Sequence, residues 1–270
     1  MVTAKKRVDH PCTASELREL LELAKSTAAR AGTRLLETFG ASHREYVPAP
    51  DNPREIKTLA DRVLEKDILD ALIPTGLSIL SEESGFIRGP RESECWFIVD
   101  PLDGTFNFAK GLGPSAVSIA LWAAQKPMFG VVYDLHDRQL VWGGAGLDAY
   151  ANGMRIRVSD VSSLGQASLC TGFPARFDFA IEPGMNDFWR LASTVGKIRM
   201  LGSASVSLLH VARGSADAYA ERSIMLWDVA AGLAIVEGAG GSHVATQTNV
   251  EWSYNVIASN TNLISGLSKT

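Results

Sequence analysis

Between Leu77 and Gly143 the apolar residues come in short bursts, and that block limits the fold more than any other feature of the chain. The bursts 77-LSIL-80, 95-CWFIV-99, 115-SAVSIALWA-123, 128-MFGVVYD-134 and 139-QLVWG-143 are β-branched or aromatic and bounded by turn residues, so each reads as a strand. The last two flank His136 and Asp137 and read as a hairpin. Before the block the period is helical. Leu17, Leu20, Leu21, Ala24, Ala28, Ala31, Leu35 and Leu36 predict an amphipathic helix over 13–39. Leu59, Val63, Ile68 and Leu72 predict a second from about Thr58 to Leu72, stopped by Pro74 and Gly76. The polar, proline-bearing segment 40-GASHREYVPAPDNPRE-55 reads as a loop. After the block come a helix around 203–213, a strand at 216-ADAYAE-221, a helix at 227-WDVAAGLAIVEGA-239 and a strand near 254-YNVIAS-259. Strands and helices are segregated in blocks rather than alternating, which predicts α+β layers over a doubly wound parallel sheet.

The 270 residues are 46% hydrophobic, enough for a large core. A net charge of -4 gives no reason to expect a nucleic-acid partner, and Lys5-Lys6-Arg7 reads as a solvated end. The N-terminus lacks the apolar core of a secretory signal. The longest nearly apolar run, 116-AVSIALWAA-124, is too short to cross a bilayer. Cys12, Cys95 and Cys170 are far apart and form no CxxC pair, so neither a zinc site nor a disulfide framework is expected. These features fit a reducing cytoplasm.

The chemistry is carried by acids placed where apolar segments end. Asp100 follows 95-CWFIV-99, and Pro101 and Gly104 enforce a turn that brings Asp103 near it. Two carboxylates so close repel unless a proton or cation lies between them. They read either as caps for backbone amides or as ligands of a hard divalent ion, which takes oxygen donors. A calcium-hand loop is excluded, because its twelfth position is Gly111 where a Glu is required. The segment 81-SEESG-85 likewise follows a strand, and Glu82-Glu83 reads as a solvated turn or as part of a shared metal site. In 221-ERSIMLWDVAAG-232, Asp228 stands at the start of a helix rich in small residues and reads as an N-cap, a role compatible with metal ligation. By spacing alone, Asp61 is a helix-surface acid and Thr58 an N-cap.

Taken together, these elements resemble the inositol monophosphatase family, within the metal-dependent, lithium-sensitive phosphatases. The family's WxxDPxDGTxNFxxG pattern is similar to 96-WFIVDPLDGTFNFAKG-111, with one more residue after Trp96 or with Phe97 in the Trp place. Its WDxAAGxxxxxEAGG pattern is similar to 227-WDVAAGLAIVEGAGG-241, departing at Gly238, a departure expected to be structural only. GEES appears as 81-SEES-84, and TxxD as Thr58 to Asp61. All four stand in the family order.

The resemblance implies a single domain over 1–270, layered α-β-α-β-α, usually as a homodimer. Its N-terminal part, about 1–150, would carry most metal ligands, and its C-terminal part, about 151–270, Asp228 and substrate contacts. It implies two to three Mg2+ ions. Glu82, Asp100 and the Leu102 carbonyl would hold the first, and Asp100, Asp103 and Asp228 the second. A third, weaker ion would lie near Glu82. Thr105 and Asp61 would orient the attacking water, on which Glu82 could also act. The amides of Gly104 and Thr105 would face the phosphate. Glu221 would hold a substrate hydroxyl, and the backbone of Ser203 and Ala204 would contact the substrate ring. The implied reaction is hydrolysis of inositol monophosphate, or a related sugar or cyclitol phosphate, by a metal-activated water. Histidinol phosphate, fructose 1,6-bisphosphate and adenosine 3',5'-bisphosphate are alternative substrates. A regulatory or binding protein that keeps the fold is the alternative of another class. From charge alone, Arg222 could contact a second anionic group.

Other signals point elsewhere or nowhere. The stretch 144-GAGLDA-149 matches a loose dinucleotide pattern, but the next residues, 150-YANGMRIRV-158, read as turn and strand, so it is taken as a hairpin turn. No HExxH or G-x-S-x-G is present. Trp122, Trp142 and Trp189 read as core or interface residues.

Overall fold

The helical and strand periods separate in space as they do along the chain. The computed structural model describes residues 12–39, 46–49, 52–177 and 182–269. In chain order, α1 (Ala14–Thr38) leads to the hairpin β1 (Tyr46–Ala49) and β2 (Asn52–Thr58), then α2 (Leu59–Leu72). Next come β3 (Ser78–Ser81), β4 (Gly85–Ile87), β5 (Cys95–Asp103) and the short α3 (Thr105–Lys110). A meander then runs through β6 (Ala116–Ala123), β7 (Lys126–Asp134), β8 (Gln139–Gly144), β9 (Asp148–Ala151) and β10 (Met154–Arg155). The last stretch is β11 (Ser168–Cys170), α4 (Glu182–Thr194), β12 (Lys197–Arg199), α5 (Ala204–Ala212), β13 (Ala218–Met225), α6 (Leu226–Gly238), β14 (Gly241–Gln247), β15 (Ser253–Asn260) and α7 (Ile264–Leu267).

An eight-stranded sheet of order β10-β9-β8-β7-β6-β5-β3-β4 forms one layer, and a five-stranded sheet of order β12-β11-β13-β15-β14 another. Alternation along the strands of the larger sheet fills two cores, because successive side chains point to opposite faces. Phe97, Val99, Val117, Ile119, Leu121 and Val131 pack against α1 and α2. Ile98, Ala120, Trp122 and Val132 pack against α5 and α6. The smaller sheet lies beyond α5 and α6, and its outer face meets Leu191 of α4 and Leu267 of α7. The result is the expected α-β-α-β-α stack.

α6 lies between the sheets and is buried almost all round, from Val229 to Val236. A helix so placed needs small residues where strands cross it. A Cβ at Gly130 of β7 would stand 2.0 Å from the Ala231 carbonyl oxygen. Gly130→Ala is therefore expected to cost about 1–3 kcal/mol or more by overpacking. Denaturant titration checks this; an unchanged midpoint would refute the close approach. At Gly238, a Cβ would meet the Asp148 carbonyl oxygen at 2.5 Å. Glycine there admits the β8–β9 turn, a structural reason for the sequence departure at that position.

Several expectations need correction. The segment expected to be a loop from 40 to 55 contains the β1–β2 hairpin, with Tyr46 opposite Thr58 and Pro48 opposite Ile56. Tyr46, Val47 and Pro48 are exposed, so no buried face marked the strand by alternation. Residues 40–45 and 50–51 of that segment lie outside the described residues. Strands β4, β11, β12 and β14 and helix α4 were not anticipated. Cys12, just before α1, and Cys95, on β5, far apart in sequence, are brought side by side, with Cα atoms 7.2 Å apart. The approach arises from layer packing across 83 residues of sequence. Cys170 is free and buried, its thiol pushed up to about 11 by burial. Trp122 is core and Trp142 is partly buried against the α1 side, but Trp189 is 62% exposed. The 144–149 stretch is a turn between β8 and β9, as expected. Among the described residues, no helix is long and apolar enough to cross a membrane.

Candidate active site

The site forms at the end of β5. The strand does not stop at Asp100 but continues to Asp103, with a register break between them: Asp100 faces Ser118 and Asp103 faces Ala116. Pro101, which has no N–H to give the ladder, sits in the bulge. The irregularity aims both carboxylates at one place. Asp100 Oδ1 accepts the Leu102 amide at 3.0 Å. Gly104 comes next with φ +78°, and a Cβ there would stand 2.8 Å from the Pro114 carbonyl oxygen. Both the left-handed backbone and the packing require glycine.

Three longer helices bring their starts to this point. Asp61, in the first turn of α2, accepts the Thr58 amide and hydroxyl, each at 2.6 Å. Asp103 Oδ2 accepts the Ser203 hydroxyl at 2.5 Å and the Ser205 amide at 2.7 Å, both at the start of α5. Asp228 is the third residue of α6 rather than its N-cap, and its Oδ2 accepts the Met225 amide at 3.2 Å. Positive helix ends thus face the acids, which favours negative charge there.

Asp100, Asp103 and Asp228 each direct a carboxylate oxygen to a common point, with those atoms within 4.8 Å of one another. Asp100 Oδ2 is buried and has no hydrogen-bond donor. Burial pushes Asp100 well above the ordinary carboxylate range, and repulsion from Glu82, Asp103 and Asp228 pushes it further. Asp228 is raised by burial and by Asp103, Glu82 and Glu221, and Arg176 partly opposes this. Asp103 is raised by burial, against the stabilising bonds from Ser203 and Ser205. Glu82 stands outside the trio and is pushed up to about 8 by burial, with Lys57 pulling the other way. An oxygen-only donor set with an orphaned buried oxygen fits a hard divalent cation such as Mg2+.

The expected Thr105–Asp61 pair is present, hydroxyl to Asp61 Oδ1 at 3.0 Å. The same hydroxyl lies 2.8 Å from the Leu102 carbonyl oxygen, and its one proton serves one acceptor at a time. Asp61 is buried, not a helix-surface acid, and burial raises its carboxyl. Glu82, Asp103, Ser203, Ala204, Glu221 and Asp228 line a cleft of about 680 Å³. Glu221 accepts the Tyr219 hydroxyl at 3.0 Å and is pushed up to about 7 by burial. Ser203 spends its side chain on Asp103 and on the Val206 amide, and its carbonyl oxygen accepts the Ser207 amide at 3.1 Å and the Ser207 hydroxyl at 2.6 Å.

Sequence reasoning missed several supporting residues. Buried Glu65 accepts the hydroxyls of Ser81 and Ser84, at 2.5 and 2.8 Å, and the Ser84 amide at 2.9 Å. It holds the turn that carries Glu82. Its only sequence signal was a position four residues after Asp61, one turn along the same helix face. Lys57 bonds Glu83 at 2.7 Å. Ser205 anchors Asp103 through its amide and bonds the Asp228 carbonyl oxygen at 3.0 Å through its hydroxyl. Arg222 does not border the cleft. It pairs with Asp187 at 2.7 Å beside a neighbouring apolar cavity.

A model of the inositol monophosphatase family matches residues 16–269. This chain belongs to the inositol monophosphatase family. It is 36% identical over 227 residues to a fructose-1,6-bisphosphatase/inositol-1-monophosphatase of Aquifex aeolicus, covering 83% of this chain and 85% of that protein. It is 36% identical over 231 residues to the Nus factor SuhB of Pseudomonas aeruginosa, covering 83% of this chain and 84% of that protein. The crystal structure of the extragenic suppressor protein SuhB of Bartonella henselae superposes with a TM-score of 0.83 at 31% identity, covering 93% of this chain and 97% of that one. Family membership accounts for the order of the four sequence elements and for the layered fold.

Proposed function

We propose that this protein is a Mg2+-dependent phosphomonoesterase acting on inositol monophosphate or a related sugar or cyclitol phosphate. The observation that carries the reading is the convergence of Asp100, Asp103 and Asp228, whose carboxylate oxygens lie within 4.8 Å of one another, together with a buried Asp100 Oδ2 that has no hydrogen-bond partner among the described residues. Asp100, Asp103, Asp228, Glu82 and the Leu102 carbonyl would hold two to three ions. When bound, these ions supply positive charge to the phosphate and leaving oxygen and lower the pKa of water.

The protein's own groups do the rest. Asp61, fixed by Thr58, accepts the Thr105 hydroxyl proton, so that the Thr105 oxygen would accept a hydrogen bond from the attacking water. The amides of Gly104 and Thr105 would face the phosphate. Glu221, held by Tyr219, is suited to accept a substrate hydroxyl. No side-chain nucleophile is needed, so direct in-line attack by water is the economical route. Lithium inhibition and a homodimeric assembly come from the family resemblance and belong to the same proposal.

The test is phosphate release with Mg2+ from inositol 1-phosphate, histidinol phosphate, fructose 1,6-bisphosphate and adenosine 3',5'-bisphosphate side by side. Highest kcat/KM on inositol 1-phosphate is expected. A higher value on another ester replaces the substrate assignment, and silence on all four refutes the enzyme. The Nus factor name of the Pseudomonas relative supports a second reading, a regulatory binding role. Such a role does not require the carboxylate set, whereas hydrolysis does.

A further inference from the structure

Arg176 is a cleft cation that the proposed hydrolysis does not use. It is exposed on the segment from Thr171 to Phe177 that borders the cleft, and it forms no ion pair among the described residues. The other cations nearby are engaged: Lys57 with Glu83 at 2.7 Å and Arg222 with Asp187 at 2.7 Å.

The segment holding Arg176 is pinned. The Phe177 amide donates to the Pro174 carbonyl oxygen at 2.8 Å, closing a turn around Ala175 and Arg176. The Phe173 ring packs against Phe177 at 4.7 Å and Phe188 at 5.1 Å between centroids. Phe173 borders the cleft next to this turn, and the turn adds Arg176 to the same wall. The guanidinium is near enough to offset part of the repulsion felt by Asp228.

A cleft of about 680 Å³ holds far more than one phosphate. In the proposed reaction the ions and first-turn amides take the reacting phosphate, and Glu221 takes a hydroxyl. The planar fork of a guanidinium matches a carboxylate or phosphate. We propose that Arg176 recognises a second anionic group, a carboxylate or a second phosphate, on the organic part of the substrate. The protein then prefers phosphomonoesters bearing such a group over matched esters without it. This rests on the phosphomonoesterase reading and ranks the related sugar phosphates within it.

Two matched pairs test it: fructose 1,6-bisphosphate against fructose 1-phosphate, and 2-phosphoglycerate against glycerol 2-phosphate. Wild type is expected to favour the anion-bearing member of at least one pair by roughly tenfold in kcat/KM, the worth of one charge-assisted bond. The favoured pair tells phosphate from carboxylate. Arg176→Gln should bring that ratio close to unity, mainly through KM, and Arg176→Lys should keep part of it. A ratio near unity in wild type for both pairs overturns the proposal. So does an Arg176→Gln loss that is equal for both members, which would place Arg176 on the reacting phosphate. If no ester is hydrolysed, the phosphatase reading fails separately. Calorimetry with fructose 1,6-bisphosphate and fructose 1-phosphate then decides. Tighter bisphosphate binding that is lost in Arg176→Gln supports the anion site, and equal binding refutes it.

Discussion

Asp100→Asn is expected to lower Mg2+-dependent phosphate release by more than about 100-fold, since removing even an outer-shell partner of a metal site costs about 10–100-fold. The metal-free variant is expected to melt above the metal-free wild type. Both effects have one cause. Asp100 Oδ2 is buried without a donor, and the Asp100 carboxyl is raised by burial and by Glu82, Asp103 and Asp228. An asparagine keeps the acceptor for the Leu102 amide and turns an NH2 group toward neighbouring carboxylates. It removes a repelling charge and with it the ligand. Asp228→Asn should lose activity in the same way. Phosphate-release assays and thermal unfolding in chelator measure the two outcomes together. Wild-type turnover in both variants would refute the metal site. A lowered melting point of metal-free Asp100→Asn would show that the carboxylate is stabilised there by something other than a cation.

The response to pH and Mg2+ should be as large. A carboxyl raised on folding contributes stability that is complete below its unfolded pKa and lost as pH rises through the folded one. For Glu82 that window runs from 4.5 to about 8. Asp100, Asp103 and Asp228 are displaced in the same direction. Metal-free protein is therefore expected to melt higher near pH ~5.5 than near pH ~8. Mg2+ binds the deprotonated set, so its stabilisation runs the opposite way. At a hundredfold excess over Kd the gain is about 2.7 kcal/mol, roughly 5–10 °C in Tm for a chain of this size. The gain near pH ~5.5 should be less than half of that near pH ~8. Differential scanning calorimetry at both pH values, with and without Mg2+, checks the sign. A Mg2+ shift independent of pH would mean that the raised carboxyls are not the ligands.

Much of this site could be read in the chain. Asp100, Asp103 and Gly104 are neighbours, so the turn chemistry of DPLDG announced them. Thr58 and Asp61 are three apart at a helix start, where side chains cap amides, and the structure shows that cap. What spacing could not show was that Asp61 is buried and meets Thr105 across 44 residues. Glu65 looked like any helix acid because its partners, Ser81 and Ser84, reach it only when the β3–β4 turn folds onto α2. Arg222 attracted attention by adjacency to Glu221, yet successive strand residues face opposite sides, and it points to Asp187. Arg176, with no motif around it, was visible only once its segment was seen to edge the cleft.

The sequence by itself determined the periods, and with them the blocks of helix and strand. It also determined the residue types at strand ends and helix starts. These are local properties, because side-chain direction repeats within a few residues along any regular backbone. The tertiary structure decided which acids share a point, which of them are raised, and which cation is left without a partner among the described residues. Those properties depend on distances and burial between layers, and in this chain β5, α5 and α6 meet only after two sheets have closed around the helices.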